Sequence, residues 1–186
     1  MIDSIEKYRL FDLILLSVIA VVCEIVGEIL HITLPGAGYY LSFSILIALI
    51  AMIRWGKWGA VVYIVAGIPM IFLHDSSVIE NIILYPIANA FIAVSCIVFR
   101  FVDRDRIKDN IIRLFLFTVT AYLGVSIGKG VGIFILTGVF SKSAAYYFLT
   151  QLFNMTMVFL ILIIIKHRNG LLVNMNTYLL QHGQKV

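Results

Sequence analysis

Side chains that could bind a small molecule recur at helical spacing. Glu24, Glu28 and His31 stand at positions i, i+4 and i+7, so one face of a helix presents all three. The other stripes are Asn81, Tyr85 and Asn89; Tyr122, Ser126 and Lys129; and Tyr147, Gln151 and Asn154. Carboxylates and a histidine suit amines, amides suit hydroxyls and ring nitrogens, and tyrosines suit flat rings. The chemistry that these types indicate is ligand binding.

The sequence lacks the motifs that assemble a catalytic centre. It has no GxxxxGK[ST] loop for ATP, no HExxH helix and no GxSxG turn. Glu24 and Glu28 stand in "EIVGE", without the adjacent glutamates of intramembrane proteases. The histidines and carboxylates have no diagnostic metal-ligand spacing. We therefore expect a chain that is not an enzyme and holds neither a resident cofactor nor a metal.

The elements that carry the stripes are long apolar runs. The chain has 186 residues, of which 62% are hydrophobic and 13% charged, whereas about 25% are charged in soluble domains. Because the runs lack the period-two alternation of barrel strands, we predict an all-α integral membrane protein with one transmembrane domain. Six spans are predicted, at residues 10–30, 39–53, 58–73, 79–101, 111–136 and 144–165. Because about 20 residues cross a bilayer, spans two and three are short, so they form a tight hairpin or are tucked among other helices.

The positive charges predict an orientation, because lysine and arginine favour the cytoplasmic side. With a cytoplasmic N-terminus and six crossings, twelve of the 14 basic residues fall inside, and Lys129 and Lys142 are the others. The stretch "IRWGKWGAV" is then a cytoplasmic turn with Trp55 and Trp58 as interface anchors. The tail, residues 167–186, is also cytoplasmic, as a short amphipathic helix or a frayed end. In a membrane protein, a net charge of +4 affects the orientation of the chain and its contacts with lipid head groups. No nucleic-acid partner is expected.

This orientation places the polar stripes in the outer half of the membrane. Buried ionisable groups usually face a cavity or the protein interior, so converging stripes predict a pocket open to the outside. The candidate ligand-binding residues are Glu24, Glu28, His31, Tyr39, Tyr40, His74, Glu80, Asn81, Tyr85, Asn89, Lys129, Tyr147, Gln151 and Asn154. Two alternatives remain open: each stripe is a hydrogen-bonded seam between helices, or Lys129 forms a structural ion pair with Glu24 or Glu28.

The layout resembles the substrate-binding S component of energy-coupling factor (ECF) transporters. The resemblance covers nearly the whole chain and is best at "LPGAGYYLSFSILIALIAMIRWGKWGAVVYIVAG", residues 34–67, where a Gly56–Gly59 turn opens the third helix. Many S components carry Ala-x-x-x-Ala on the first helix for docking. Here the stretch is "LLSVIAVVCE", so Ser17 and Ala20 are the expected docking residues.

The resemblance implies uptake of a scarce vitamin across a bacterial or archaeal cytoplasmic membrane. The partners would be a membrane coupling protein and two ABC-type ATPases that hydrolyse ATP. A B6 vitamer such as pyridoxamine or pyridoxine fits the predicted pocket residues best, and a thiamine pyrimidine precursor is the next candidate. Pantothenate is another, and its carboxylate would bind Lys129. A rival interpretation is a structural or assembly subunit, or a membrane enzyme, without a vitamin site.

Overall fold

Helices form all the regular secondary structure in the computed structural model, which describes residues 2–33, 42–138, 143–168 and 170–183. The α-helices are α1 Ile2–Thr33, α2 Ser44–Trp55, α3 Ala60–Ala66, α4 Met70–Leu73, α5 Val78–Ile82, α6 Ala88–Ala90, α7 Ile111–Thr137, α8 Ser143–Thr150, α9 Leu152–Ile165 and α10 Met175–Gly183. Segments of 3₁₀-helix cover Gly56–Gly59, Phe91–Arg100 and Arg104–Arg106, and a π-helical turn covers Ile83–Ile87. The predicted all-α class is confirmed over these ranges.

Several of these helices are long and apolar enough to cross a membrane. By length and composition, four segments qualify: Ile5–His31, Ser44–Leu73, Val78–Arg100 and Ile111–Thr137. Ala144–Thr150 and Leu152–Ile165 meet at an angle of 52° and make a fifth if the bent pair is one span. Apolar side chains such as Phe11 and Phe72 are largely exposed on these helices, as lipid contact requires. The chain therefore has the helices of a membrane-embedded protein.

The segment Ser44–Leu73 is helical apart from a turn at residues 67–69, and the chain reverses direction at Gly56. That glycine has φ 65° and ψ −137°, in the region that residues with a side chain avoid. A Cβ atom at Gly59 would lie 2.3 Å from the backbone of Ala51 and Met52. Because these positions are seven and eight residues apart in sequence, α3 must fold back against α2. The hairpin considered for predicted spans two and three is the observed geometry.

Helix α1 runs antiparallel to α2 and is fixed to it at two levels. Near its start, Asp12 accepts hydrogen bonds from Arg54 Nε at 2.8 Å and from Trp55 Nε1 at 2.5 Å. Farther along, Glu24 accepts hydrogen bonds from Ser44 Oγ, at the opposite end of α2, and from Ser42 Oγ. With 32 residues, α1 is about 48 Å long and exceeds the predicted span at both ends.

Two predictions about the turn at Gly56 have different outcomes. Trp58 is 48% exposed, with the Arg9 guanidinium 5.1 Å from its ring centroid, as an interface anchor would be. Trp55 is not an anchor, because its ring is only 2% exposed and its N–H is bonded to Asp12. The part-buried Asp12 carboxylate binds the indole N–H, which would otherwise be available to lipid head groups.

The tail packs against this same end of the bundle. Arg54 Nη1 donates to the Gly170 carbonyl at 2.8 Å, and the Asn174 backbone N–H donates to Asp105 at 3.0 Å. Leu172 is 1% exposed and belongs to the core. The tail therefore docks through residues 170–174 and continues as helix α10, so within the described part it is not a frayed end.

Predicted spans four and six are interrupted where the sequence alone shows an unbroken apolar run. Predicted span 79–101 changes winding from α to π around Pro86, which has no backbone N–H to donate. Predicted span 144–165 bends at Gln151, between α8 and α9. Both irregularities lie toward the end of the molecule that is opposite Asp12.

Candidate functional site

A cavity of about 260 Å³ opens at the end of the bundle opposite Asp12. This volume is just below the range of about 300–1,000 Å³ that is typical of small-molecule sites. The lining residues come from α1, α3, α7, α8 and the segments around α4 and α5: Glu24, Glu28, His31, Tyr63, His74, Tyr85, Lys129, Tyr146, Tyr147, Thr150 and Gln151. Titratable and aromatic side chains therefore dominate the wall.

Glu24 is held in place by hydroxyl groups at the start of α2. Its Oε2 accepts hydrogen bonds from Ser42 Oγ at 2.5 Å and from Ser44 Oγ. The carboxylate also lies at the N-terminus of α2, where the helix dipole favours negative charge. With a side chain only 5% exposed, this charge is stabilised by its own surroundings.

Glu28 lies one helical turn farther along and has much less support. Its side chain is buried, and the nearest basic side chain among the described residues is His74, whose Nε2 lies 3.7 Å from Glu28 Oε1. That distance is beyond hydrogen-bonding range. Among the described residues Glu28 makes no hydrogen bond, and His74 Nε2 is also without one. Both groups face the cavity with unused hydrogen-bonding capacity.

One aromatic contact, between His74 and Tyr85, forms a side of the cavity. The His74 and Tyr85 rings are stacked, with centroids 4.8 Å apart and planes 12° from parallel. Tyr85 lies on the π-helical turn Ile83–Ile87, and such turns often occur at functional sites. A Cβ at Gly67 would be 3.0 Å from the Tyr85 carbonyl carbon, so a glycine there lets α3 approach this turn.

Lys129 reaches the cavity between two tyrosine rings. Its Nζ is 5.6 Å from the Tyr85 centroid and 5.2 Å from the Tyr147 centroid, both within cation–π range. Helix α7 packs closely against the neighbouring segments because glycines lie at its points of contact with them. A Cβ at Gly128 would lie 2.4 Å from the Ala88 carbonyl oxygen, and one at Gly130 would lie 2.7 Å from Ala144 Cβ.

Helix α8 supplies one wall of the cavity, and the bend at Gln151 positions it. Tyr146, Tyr147 and Thr150 lie on α8, and Gln151 is the residue between α8 and α9. Asn154 Nδ2 donates to Gln151 Oε1 at 3.4 Å. Asn154 Oδ1 is buried and has no hydrogen-bond partner among the residues that the structure describes. The bend therefore turns the tyrosines of α8 toward Lys129.

Eight of the predicted ligand-binding residues line this cavity: Glu24, Glu28, His31, His74, Tyr85, Lys129, Tyr147 and Gln151. They come from four of the stretches whose polar spacing led to the prediction. The predicted ion pair of Lys129 with Glu24 or Glu28 is not formed, since no carboxylate of the described ranges lies within 4.0 Å of its Nζ. Tyr39 and Tyr40 lie outside the described residues.

Four other candidates lie outside the cavity wall. Glu80 forms a capping box with Ser77 at the start of α5. Asn81 donates to the carbonyl oxygens of Ile71, His74 and Ser76, and Asn89 donates to that of Tyr63 at 3.0 Å. Asn154 bonds Gln151, as described above. The Asn81 and Asn89 amides bond backbone carbonyls where the helices break, so these two residues support the wall and do not line the cavity as predicted.

Sequence reasoning missed three lining residues. Tyr63, Tyr146 and Thr150 face the cavity from α3 and α8. Thr150 is one helical turn from Tyr147, and this i+3 spacing was a usable signal. Tyr63 lies in the apolar run "VVYIVAG" and gave no signal, because only the hairpin at Gly56 brings α3 back to Glu24.

The two expected docking residues on α1 differ in exposure. Ala20 is fully buried in the core, whereas Ser17 is half-buried. A residue with no exposed surface cannot contact another protein, so the docking role expected for Ala20 is wrong for this conformation. Its small side chain instead permits close packing within the chain.

The geometry gives a binding cavity without a ligand set for a metal. No group of three or more His, Cys, Asp or Glu side chains among the described residues could hold a metal ion. Comparison with known proteins gives no further guidance, because no family model, curated protein or solved structure matches the chain.

Proposed function

We propose that this chain is a membrane-embedded binding subunit that captures a small water-soluble vitamin or vitamin precursor for uptake. In this proposal it is the S component of an ECF transporter. One observation carries it: a cavity of small-molecule size brings together a buried carboxylate, Glu28, an ammonium group, Lys129, and stacked aromatic rings. Such a site recognises a polar ligand with a flat body.

The proposal includes six crossings with both termini in the cytoplasm of a bacterial or archaeal cell. The hairpin at Gly56 supports this number, because α2 and α3 then count as two short crossings. Asp12, Arg54 and Arg104 lie at one end of the bundle and the cavity at the other. Under the preference of basic residues for the cytoplasm, the cavity faces outward.

The ligand proposed first is a B6 vitamer such as pyridoxamine or pyridoxine. Glu28 would accept a hydrogen bond from the amine of pyridoxamine, and Tyr85 or Tyr147 would contact the ring. A thiamine pyrimidine precursor offers the same ring and amine. Pantothenate would use Lys129 for its carboxylate. The partners in this scheme are a membrane coupling protein and two ABC-type ATPases.

The second candidate is a structural or assembly subunit without a ligand. The amides of Asn81 and Asn89, which bond backbone carbonyls between helix segments, favour it. Polar seams of this kind hold membrane helices together. The Glu28 carboxylate and the His74 Nε2 atom make no hydrogen bond among the described residues, and a seam leaves this unexplained.

The deciding experiment is native mass spectrometry on the detergent-purified chain, expressed alone in a vitamin-replete host. A vitamer bound at near one-to-one is expected, and Glu28→Gln should lower its occupancy more than about tenfold. Glu80→Gln is the matched control, because Glu80 caps a helix outside the cavity, and it should keep the ligand. A chain that is empty and binds none of a vitamin panel would favour the structural subunit.

A further inference from the structure

We infer that the ligand of this cavity is a zwitterion that carries an ammonium group and a carboxylate group on a flat apolar body. The inference rests on the proposed function, since it assumes that the cavity binds a small molecule. It asks which charges of the wall still lack a contact partner, and it selects a ligand other than those named under the proposed function, none of which carries both an ammonium group and a carboxylate group.

One charged group of the wall, the Glu24 carboxylate, is already stabilised within the chain. Glu24 accepts hydrogen bonds from Ser42 and Ser44 at the start of α2. A carboxylate with two donors on one oxygen at a helix N-terminus needs no ligand cation. The charges left for the ligand are those of Glu28 and Lys129.

The Glu28 carboxylate would be stabilised by a cationic hydrogen-bond donor on the ligand. The carboxylate is 6% exposed and is not hydrogen-bonded to any residue in the described ranges. A buried carboxylate is costly unless a donor or a cation meets it. An ammonium group of the ligand would supply both, in the space that Glu28 shares with His74.

The Lys129 ammonium group would be stabilised by an anionic group of a ligand bound in the same cavity. The faces of Tyr85 and Tyr147 hold its ammonium group, and ring faces attract a cation without neutralising it. No carboxylate of the described part lies within 4.0 Å of its Nζ, so Glu24 and Glu28 act on this charge only at longer range, and its N–H donors form no ion pair among these residues. A ligand carboxylate would complete this environment.

A ligand with only one charge would leave one of these groups unsatisfied. A simple cation would bury Lys129 without an anion, and a simple anion would bury Glu28 without a donor, and each arrangement is unfavourable once water is displaced. The stacked rings of His74 and Tyr85 and the edge-to-face pair of Tyr146 and Tyr147 suit a flat apolar body between the charges.

Three matched probes test this inference on the full chain in lipid nanodiscs by isothermal titration calorimetry. L-Phenylalanine carries both charges, 2-phenylethylamine only the ammonium group, and 3-phenylpropionate only the carboxylate. We expect phenylalanine to bind at least about tenfold more tightly than either. In Glu28→Gln the advantage over 3-phenylpropionate should disappear, and in Lys129→Met the advantage over 2-phenylethylamine should disappear. Glu80→Gln should keep both advantages.

The outcomes separate this inference from the proposed function. If a singly charged probe binds as tightly as phenylalanine, the zwitterion is excluded while a binding role stands. If no probe binds, the inference is tested by the ligand that co-purifies in native mass spectrometry. A ligand with both an ammonium and a carboxylate group supports the inference, and a ligand that lacks one of these groups overturns it. If no probe binds and no ligand co-purifies, the inference fails together with the proposed function.

Discussion

The Glu28 carboxylate and the His74 imidazole approach to 3.7 Å across the cavity without forming a hydrogen bond. The two residues lie on α1 and just after α4, so this near contact spans the opening between separate helices. A buried carboxylate without a donor lowers stability and is retained where function needs it.

Replacing Glu28 by glutamine should therefore stabilise the ligand-free protein. The change removes a buried charge that accepts no hydrogen bond among the described residues, and it keeps the side-chain shape. We expect a gain of about 1 kcal/mol or more, which corresponds to about 2–4 °C in the melting temperature. Thermal unfolding in detergent, followed by intrinsic tryptophan fluorescence, measures it.

Glu24→Gln is the contrasting change and should lower the melting temperature. Two serine hydroxyls donate to the Glu24 carboxylate, and hydrogen bonds to a charged acceptor are the stronger kind. Equal shifts of the same sign in Glu24→Gln and Glu28→Gln would contradict the different roles assigned to the two carboxylates.

Asp12→Asn should destabilise the opposite end of the bundle. Asp12 accepts from both Arg54 and Trp55, and the Asp12 and Arg54 side chains are only 20% and 15% exposed. Removing the anion leaves a part-buried guanidinium without its charge partner, at an expected cost of about 2 kcal/mol. The melting temperature should fall by about 4–8 °C.

Asp103→Asn is the matched control for this change. Asp103 is 82% exposed and lies 3.9 Å from Arg106, a surface pair that contributes little. Its melting temperature should equal that of the unmodified chain. A similar fall in both variants would show that net charge, and not the Asp12 contacts, controls stability.

Gly59→Ala should disrupt the hairpin between α2 and α3. The added Cβ would lie 2.3 Å from the backbone of Ala51 and Met52, which cannot move without separating the helices. We expect a large loss of monodisperse protein on size-exclusion chromatography. Gly132→Ala is the control, because its nearest neighbours are flexible side-chain atoms of Ile83 and Leu84 at 3.1 and 3.3 Å. Equal yields of both variants would argue against the close packing of α2 and α3.

Single cysteines should report the crossings of this hairpin. The test uses a chain in which Cys23 and Cys96 are replaced by alanine. A membrane-impermeant maleimide should label one of the variants Lys57→Cys and Asp75→Cys in intact cells and the other in inverted vesicles. Lys57 lies just before α3 and Asp75 just after α4, so the two positions are on opposite sides if the hairpin crosses. Protection of Lys57→Cys from both sides would instead mean that Ser44–Leu73 crosses once with Lys57 in the bilayer.

The sequence by itself determined the helical class, the separation of charges and much of the cavity wall. Long apolar runs require helices, because only internal hydrogen bonding satisfies a backbone in lipid. Helical spacing is a local property, and it was enough to place Glu24 and Glu28 on one face, and likewise Tyr147 and Gln151.

Only the tertiary structure decided which polar residues face the cavity and which support it. The spacing of Asn81 and Asn89 matched that of the lining residues, yet their amides bond carbonyl oxygens freed where helical winding changes. Tyr63 joins the wall because the chain reverses at Gly56, and Trp55 is buried because Asp12, 43 residues away, accepts its N–H. Sequence periodicity records which residues share a helix face, but the contacts of that face depend on helix packing between residues distant in the chain.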